Sequence, residues 1–162
     1  MTWRRVTVIG IFILVTLIFF LSRFYMNVQH EHWADGASAV ETAYQKSILA
    51  KATKVEAFYG DKPMKIIFGE DKIGQKVIVW VSDNDVHSEM AAEGFTEEQV
   101  RTMVLKKDPS IELLRVMPGM IEGKYIWEVF YKKKLDTGTR YFYDYYNFQD
   151  GTYLDTYRLS LH

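Results

Sequence analysis

His30-Glu31-His32 is the tightest cluster of metal-ligand residue types in this chain. Side chains two apart on a helix point in different directions, so the two imidazoles could share an ion only from an extended segment. No further ligand type stands beside them, and the stretch reads as solvated chain. Asp83-x-Asp85-x-His87 begins like a calcium loop, but Val86 and Ser88 follow, with no glycine at the sixth loop position and no Glu at the twelfth. It reads as a turn and linker. Glu128 and Asp144, on neighbouring expected strands, are the conceivable carboxylate pair for acid/base work. Strand alternation sets Glu128 opposite to Trp127 and Val129, toward solvent, so the two carboxylates do not share a cleft. The chain has no Gly-x-Ser-x-Gly, no cysteine, no His-Glu-x-x-His and no glycine-rich phosphate loop. These residues describe no enzyme and call for neither cofactor nor metal.

What remains is aromatic. The stretch RYFYDYYNFQDG puts six aromatic residues into positions 141–148 of a chain that is 15% aromatic. On a strand, Tyr141, Tyr143 and Tyr145 face one way, and Phe142, Asp144, Tyr146 and Phe148 the other. One row must cover a helix, so Phe142, Tyr146 and Phe148 are expected in the core. Tyr143 and Tyr145 are expected partly exposed, with an apolar ring and a polar tip suited to binding another protein. A saccharide-stacking platform is the second reading of the same row.

The elements that would position this stretch begin with a boundary. Residues 6–22, VTVIGIFILVTLIFFLS, run 17 positions without a charge between Arg4/Arg5 and Arg23. At about 1.5 Å per residue the run is short for a hydrocarbon core of about 30 Å, and Trp3, Phe24 and Tyr25 at headgroup level extend it. Past the run, SRFYMNVQHEHW offers bulky or polar residues rather than the small ones signal peptidase requires, and there is no cysteine for a lipid. Residues 6–22 are therefore expected to be an uncleaved transmembrane anchor. Arg4 and Arg5 outweigh Arg23, which puts residues 1–5 in the cytoplasm and the rest outside a single-pass cell-membrane protein, with 23–35 as a juxtamembrane segment. Setting Arg4, Arg5 and Arg23 aside leaves 17 of the 20 Lys and Arg against 21 Asp and Glu, a formal charge of −4. Nucleic-acid phosphates demand clustered basic residues, and this balance excludes them as a partner. The runs Lys106-Lys107 and Lys132-Lys133-Lys134 are short and expected in solvated turns.

Beyond Asp35, GASAVETAYQKSILAKA reads as a capped helix with Ala37, Val40, Ala43, Tyr44, Ser47 and Ile48 on one stripe. Strand-like runs follow at 55–59, 64–69 and 76–82, then a polar link over 83–93. Thr96 with Gln99 forms a capping box, and Val100, Met103, Val104 and Lys107 give a helical stripe ended by Asp108-Pro109. Four more strand-like runs complete the chain: IELLRVMP, KYIWEVFYKK, TRYFYDYYNF and TYLDTYRLSL. Helix and strands thus recur in the same layout. The expected class is α+β: an N-terminal transmembrane helix, then two tandem domains at 36–94 and 95–162, each a helix with an antiparallel sheet.

The segment YIWEVFYKKKLDTGTRYFYDYYNFQDGTYL resembles the PepSY-type pattern, in which an aromatic-Glu-Val-x-Tyr strand precedes a hairpin, an aromatic strand and an Asp-Gly turn. Here these are Trp127-Glu128-Val129-Phe130-Tyr131 and Asp150-Gly151. The order of anchor, VEAFYG, VIVWV, a Thr-Glu-Glu-Gln helix start and WEVFY resembles the TseB family, formerly the YpmB proteins. The pattern departs where a closing Val-Asp is common and Tyr146-Asn147 stand here. The resemblance implies cystatin-like lobes outside the membrane, and regulation of cell-wall elongation through a class B penicillin-binding protein. The expected function is that of a non-enzymatic, membrane-anchored regulator with this partner. The rival readings are a PepSY-like inhibitor or chaperone of an extracytoplasmic peptidase, and a wall-polysaccharide binder.

Overall fold

The computed structural model describes residues 14–17, 36–83 and 85–159. Residues 14–17, from the expected anchor, are helical, with Leu14, Val15 and Leu17 exposed. Among the described residues no helix is long and apolar enough to cross a membrane. Trp3, Arg4, Arg5, Arg23, Phe24 and Tyr25, expected at the membrane interface, lie outside the described residues, as does His30-Glu31-His32.

Helix α1 occupies residues 36–46 and stops earlier than expected. At its end the Ser47 hydroxyl donates to the Ala43 carbonyl and accepts from the Leu49 amide, an alternative to helical bonding that serine supplies readily. The expected stripe shifts accordingly. Ala43 and Leu49 are buried, whereas Tyr44 and Ile48 are exposed, and the Tyr44 hydroxyl accepts from the Ala52 amide where the first strand begins.

The first sheet has the order β1-β2-β3-β4, all antiparallel: β1 Lys51–Tyr59, β2 Pro63–Glu70, β3 Lys76–Val81 and β4 Val86–Met90. Strand β4 lies in the stretch expected to be a linker. VHSEM shows little apolar alternation, and its pairing with the apolar β3, rather than its own pattern, makes it a strand. Both faces of β3 are covered, since Val77, Val79 and Val81 on one side and Ile78 and Trp80 on the other are all buried. Leu49 lies against Gly69 on the face of the valines, at a place where any side chain on that glycine would overlap it.

Helix α2, Glu97–Lys107, starts with the expected capping box, the Thr96 side chain and the Gln99 side chain each accepting from the other's backbone amide. Val100 and Val104 are its buried residues. The second sheet follows in the order β5-β6-β7-β8: β5 Ile111–Ile121, β6 Lys124–Leu135, β7 Gly138–Asn147 and β8 Tyr153–Arg158. Pro118 sits inside β5, a position a proline tolerates because β5 is an edge strand. Glu122 and Gly123 both take positive φ between β5 and β6, as a two-residue hairpin turn requires. Neither basic run lies in a loop turn: Lys106 and Lys107 are in the last helical turn of α2, and Lys132, Lys133 and Lys134 are on β6, where Lys132 pairs with Glu112 and Lys133 with Asp108.

The sheets share apolar contacts. Trp80 of β3 meets Tyr125 and Phe148 at centroid distances of 5.0 and 4.9 Å, and Phe58 of β1 fills the space over Gly119 of β5. These rings join Ile66, Val100, Val104, Trp127 and Val129 in one core cluster. The division expected between residues 94 and 95 falls between β4 and α2.

Candidate interaction surface

Register decides the carboxylates first. Glu128 pairs with Tyr145, and Val129 with Asp144, so Glu128 and Asp144 point to opposite faces of the second sheet and cannot act on one substrate. Glu128 is nevertheless buried, contrary to the solvent position expected for it. It stands between Met117 of β5 and Tyr145 of β7 and takes a 2.7 Å ion pair from Arg115. Central strands cover their own faces with neighbouring side chains, which alternation along one strand does not reveal. Burial pushes the Glu128 carboxyl up, against the pull of Arg115.

Asp144, also buried, accepts three hydroxyl hydrogen bonds, from Tyr131 at 3.2 Å, Tyr146 at 3.1 Å and Thr156 at 2.6 Å. Burial and then the charge of Asp144 push both tyrosine hydroxyls up. The cluster ties β6, β7 and β8 together through one side chain, with both carboxylate oxygens engaged. Among the described residues no group of three or more His, Asp or Glu side chains is placed to hold a metal ion. His87, read in the Asp83-Asp85-His87 stretch as part of a turn, lies on β4, stacked on Tyr125 at 4.0 Å and bonded to Glu89.

The aromatic strand divides as alternation requires. Tyr146 and Phe148 are buried, but Phe142 is half-buried and stacks on Tyr131 at 5.3 Å, because the core under this end of β7 has thinned out. On the opposite face Tyr143 and Tyr145 are both half-buried. Tyr145 packs against the core cluster, and burial, with the nearby charge of Glu128, pushes its hydroxyl up to about 12. Tyr143 stacks on Phe130 at 4.5 Å with 19° between the rings, and Phe130 also stacks on Tyr141 at 5.9 Å. Across the strands the row runs Arg115, Phe130, Tyr143 and Tyr157, the last on edge strand β8 and 58% exposed. Phe130, named in the sequence only as part of the aromatic-Glu-Val motif, completes this surface with Arg115 and Tyr157, which the sequence did not single out. The signal for Phe130 and Tyr157 was the alternation in YIWEVFY and TYLDTYR, while Arg115 in IELLRVMP carried none, and the row becomes a surface only once the register aligns the four strands β5 to β8.

Elsewhere, an open cleft of about 570 Å³ runs along α2, lined by Phe95, Gln99, Met103 and Lys106. It brings no titratable pair together beyond helix-surface Glu98 and lysines.

Residues 38–82 match the family described as the cell wall elongation regulator TseB-like domain. These are most of α1 with β1, β2 and β3. Among solved structures the chain is similar to a YpmB protein from Bacillus subtilis, with a TM-score of 0.66 and 25% identity over 76% of this chain and 96% of that one. No curated protein matches the sequence.

Proposed function

We propose that this chain, a member of the TseB-like family by its matched domain and its structural neighbour, is a non-enzymatic regulator of cell-wall elongation that acts by binding a class B penicillin-binding protein beside the membrane. In this reading residues 6–22 anchor it, the N-terminus is cytoplasmic, and two cystatin-like lobes face outward. Anchoring confines both proteins to one surface and raises their effective concentration for each other.

The observation that carries the reading is the row of aromatic rings across the second sheet, half-buried and bordered by the Arg115–Glu128 and Lys132–Glu112 ion pairs. Aromatic residues with arginine are the side chains that dominate protein interfaces. A pyranose stacks on a ring face, whereas the faces of Phe130, Tyr141 and Tyr143 are turned toward one another. Phe130 is stacked with two tyrosines, so its ring is engaged within the row, which favours a protein partner over a wall polysaccharide.

The test is capture of the purified enzyme by the full chain and by a Tyr143→Ser/Tyr145→Ser variant. Loss of the two rings should weaken capture by about tenfold or more, as removal of interface tyrosines does. Because Tyr145 packs on the core and Tyr143 stacks on Phe130, the variant is compared only under conditions where thermal unfolding shows it folded. A folded variant that captures the enzyme as well as the parent refutes this placement of the interface.

A further inference from the structure

The open side of β8 has a defined hydrogen-bonding state. Leu159 donates to the Tyr141 carbonyl, and the register then runs Phe142–Arg158, Tyr143–Tyr157 and Asp144–Thr156. Antiparallel pairs alternate between bonded and non-bonded, so Tyr157 bonds to β7 while the amides and carbonyls of Thr156 and Arg158 point away from the sheet. The Thr156 amide confirms this direction, since it is satisfied by the carboxylate of Asp155 beside it, at 2.8 Å. Every residue of β8 is exposed, and β8 ends the sheet.

The other sheet edges are blunted. β5 contains Pro118 and a register shift at Leu113/Arg115; β1 has a shift at Ala52/Lys54 and carries Lys51 and Lys54; β4 is five residues long. β8 has its shift at the Tyr153 end, leaving Asp155, Thr156, Tyr157 and Arg158 regular. The protection left to that stretch is the carboxylate of exposed Asp155 on one amide, a local bond that solvent and counter-ions weaken. Tyr157 also ends the ring row Phe130–Tyr143–Tyr157 at the open edge. Asp155 and Arg158 form no ion pair among the described residues.

We infer that the open edge of β8 accepts an extended segment of a partner protein as a further antiparallel strand, one that places an acidic side chain opposite Arg158, an aromatic one opposite Tyr157 and a basic one opposite Asp155. The incoming carbonyl replaces Asp155 on the Thr156 amide, and the freed carboxylate takes the basic side chain. Tyr157 then occupies a non-bonded position toward the new strand, where facing Cα atoms stand about 4.5 Å apart and rings meet closely. Affinity comes from the backbone and selectivity from the alternate side chains, the usual division of labour in strand addition.

This rests on the proposed function only for the identity of the partner, and the test separates the two. The full chain in detergent is titrated with a purified class B penicillin-binding protein. Arg158→Pro removes an outward amide that β7 does not use, a substitution edge strands tolerate, and Arg158→Ala removes the charge alone. Strand addition predicts that Arg158→Pro binds about tenfold more weakly than Arg158→Ala, the order expected for losing an edge hydrogen bond and its neighbour's alignment. Equal affinities overturn the proposal. A synthetic peptide containing Glu-Tyr-Thr-Lys, which meets β8 in the stated order, is the second probe, and it decides the matter if Arg158→Pro does not fold. It should slow hydrogen exchange at the Arg158 amide of the parent chain, and unchanged exchange overturns the edge. Slowed exchange with no binding of the enzyme to the parent removes that enzyme as partner and leaves the edge standing.

Discussion

Replacing Trp127 separates what its ring and its N–H each contribute. The side chain is 2% exposed, stacks on Phe148 at 5.4 Å, and donates from Nε1 to the Phe95 carbonyl at 2.7 Å, just before α2 begins. An aromatic side chain of this size buries about 200 Å², and at about 25 cal/mol per Å² its transfer contributes about 5 kcal/mol. Measured Trp→Ala losses of about 3–5 kcal/mol agree with that figure. Trp127→Ala also leaves the Phe95 carbonyl without its donor, which adds about 1 kcal/mol at a partly buried site. Trp127→Phe keeps most of the apolar contact and loses the N–H and some volume, so about 1–2 kcal/mol is expected. Urea unfolding of both variants, followed by circular dichroism with the slope compared to the parent, yields the two losses. A loss under about 1 kcal/mol for Trp127→Ala, at unchanged slope, would mean that the ring does not close the space between β6 and α2, and the reasoning would fail.

Tyr145 ionises at about 12 in the fold against about 10 when unfolded, so the unfolded chain gives up its proton first, and the contribution of Tyr145 is full below about pH 10 and lost as pH rises toward 12. Tyr145→Phe should flatten that part of the stability curve, and a curve of unchanged steepness would contradict the burial of this hydroxyl. Asp108 runs the other way: hydrogen bonds from Lys133 and Ser110 hold its carboxyl down from 3.8 to about 2, so its contribution is present above pH 3.8 and disappears as pH falls toward 2. Unfolding midpoints of Asp108→Asn should therefore match those of the parent more closely at pH 2 than at pH 6, within about one unit of pH. Gly119→Ala puts a methyl 2.4 Å from the Phe58 ring and should cost about 1–3 kcal/mol, with part of the loss recovered by adding Phe58→Leu. Thermal unfolding of the single and double variants checks this, and a neutral Gly119→Ala would place Phe58 elsewhere.

Local sequence carried much of the fold. Thr96 and Gln99 define the start of α2 because a capping box needs only residues three apart, and Val100 and Val104 define its buried face by helical period. The strands richest in β-branched and aromatic residues, β3, β6, β7 and β8, declare themselves in the same way. The same alternation predicted which side of β7 each aromatic takes, since a strand has only two sides. Tertiary structure decided the rest. β4 is a strand because β3 offers it an edge, the burial of Glu128 depends on Met117 and Tyr145 flanking it, and Phe142 is half-buried because the core ends near it. Asp144 binds Tyr131, Tyr146 and Thr156 only because three strands align in one register, and Tyr157 joins Phe130 and Tyr143 for the same reason. Period along a chain follows from backbone geometry alone, whereas what stands beside a residue depends on pairings between segments distant in sequence, and no single segment encodes those.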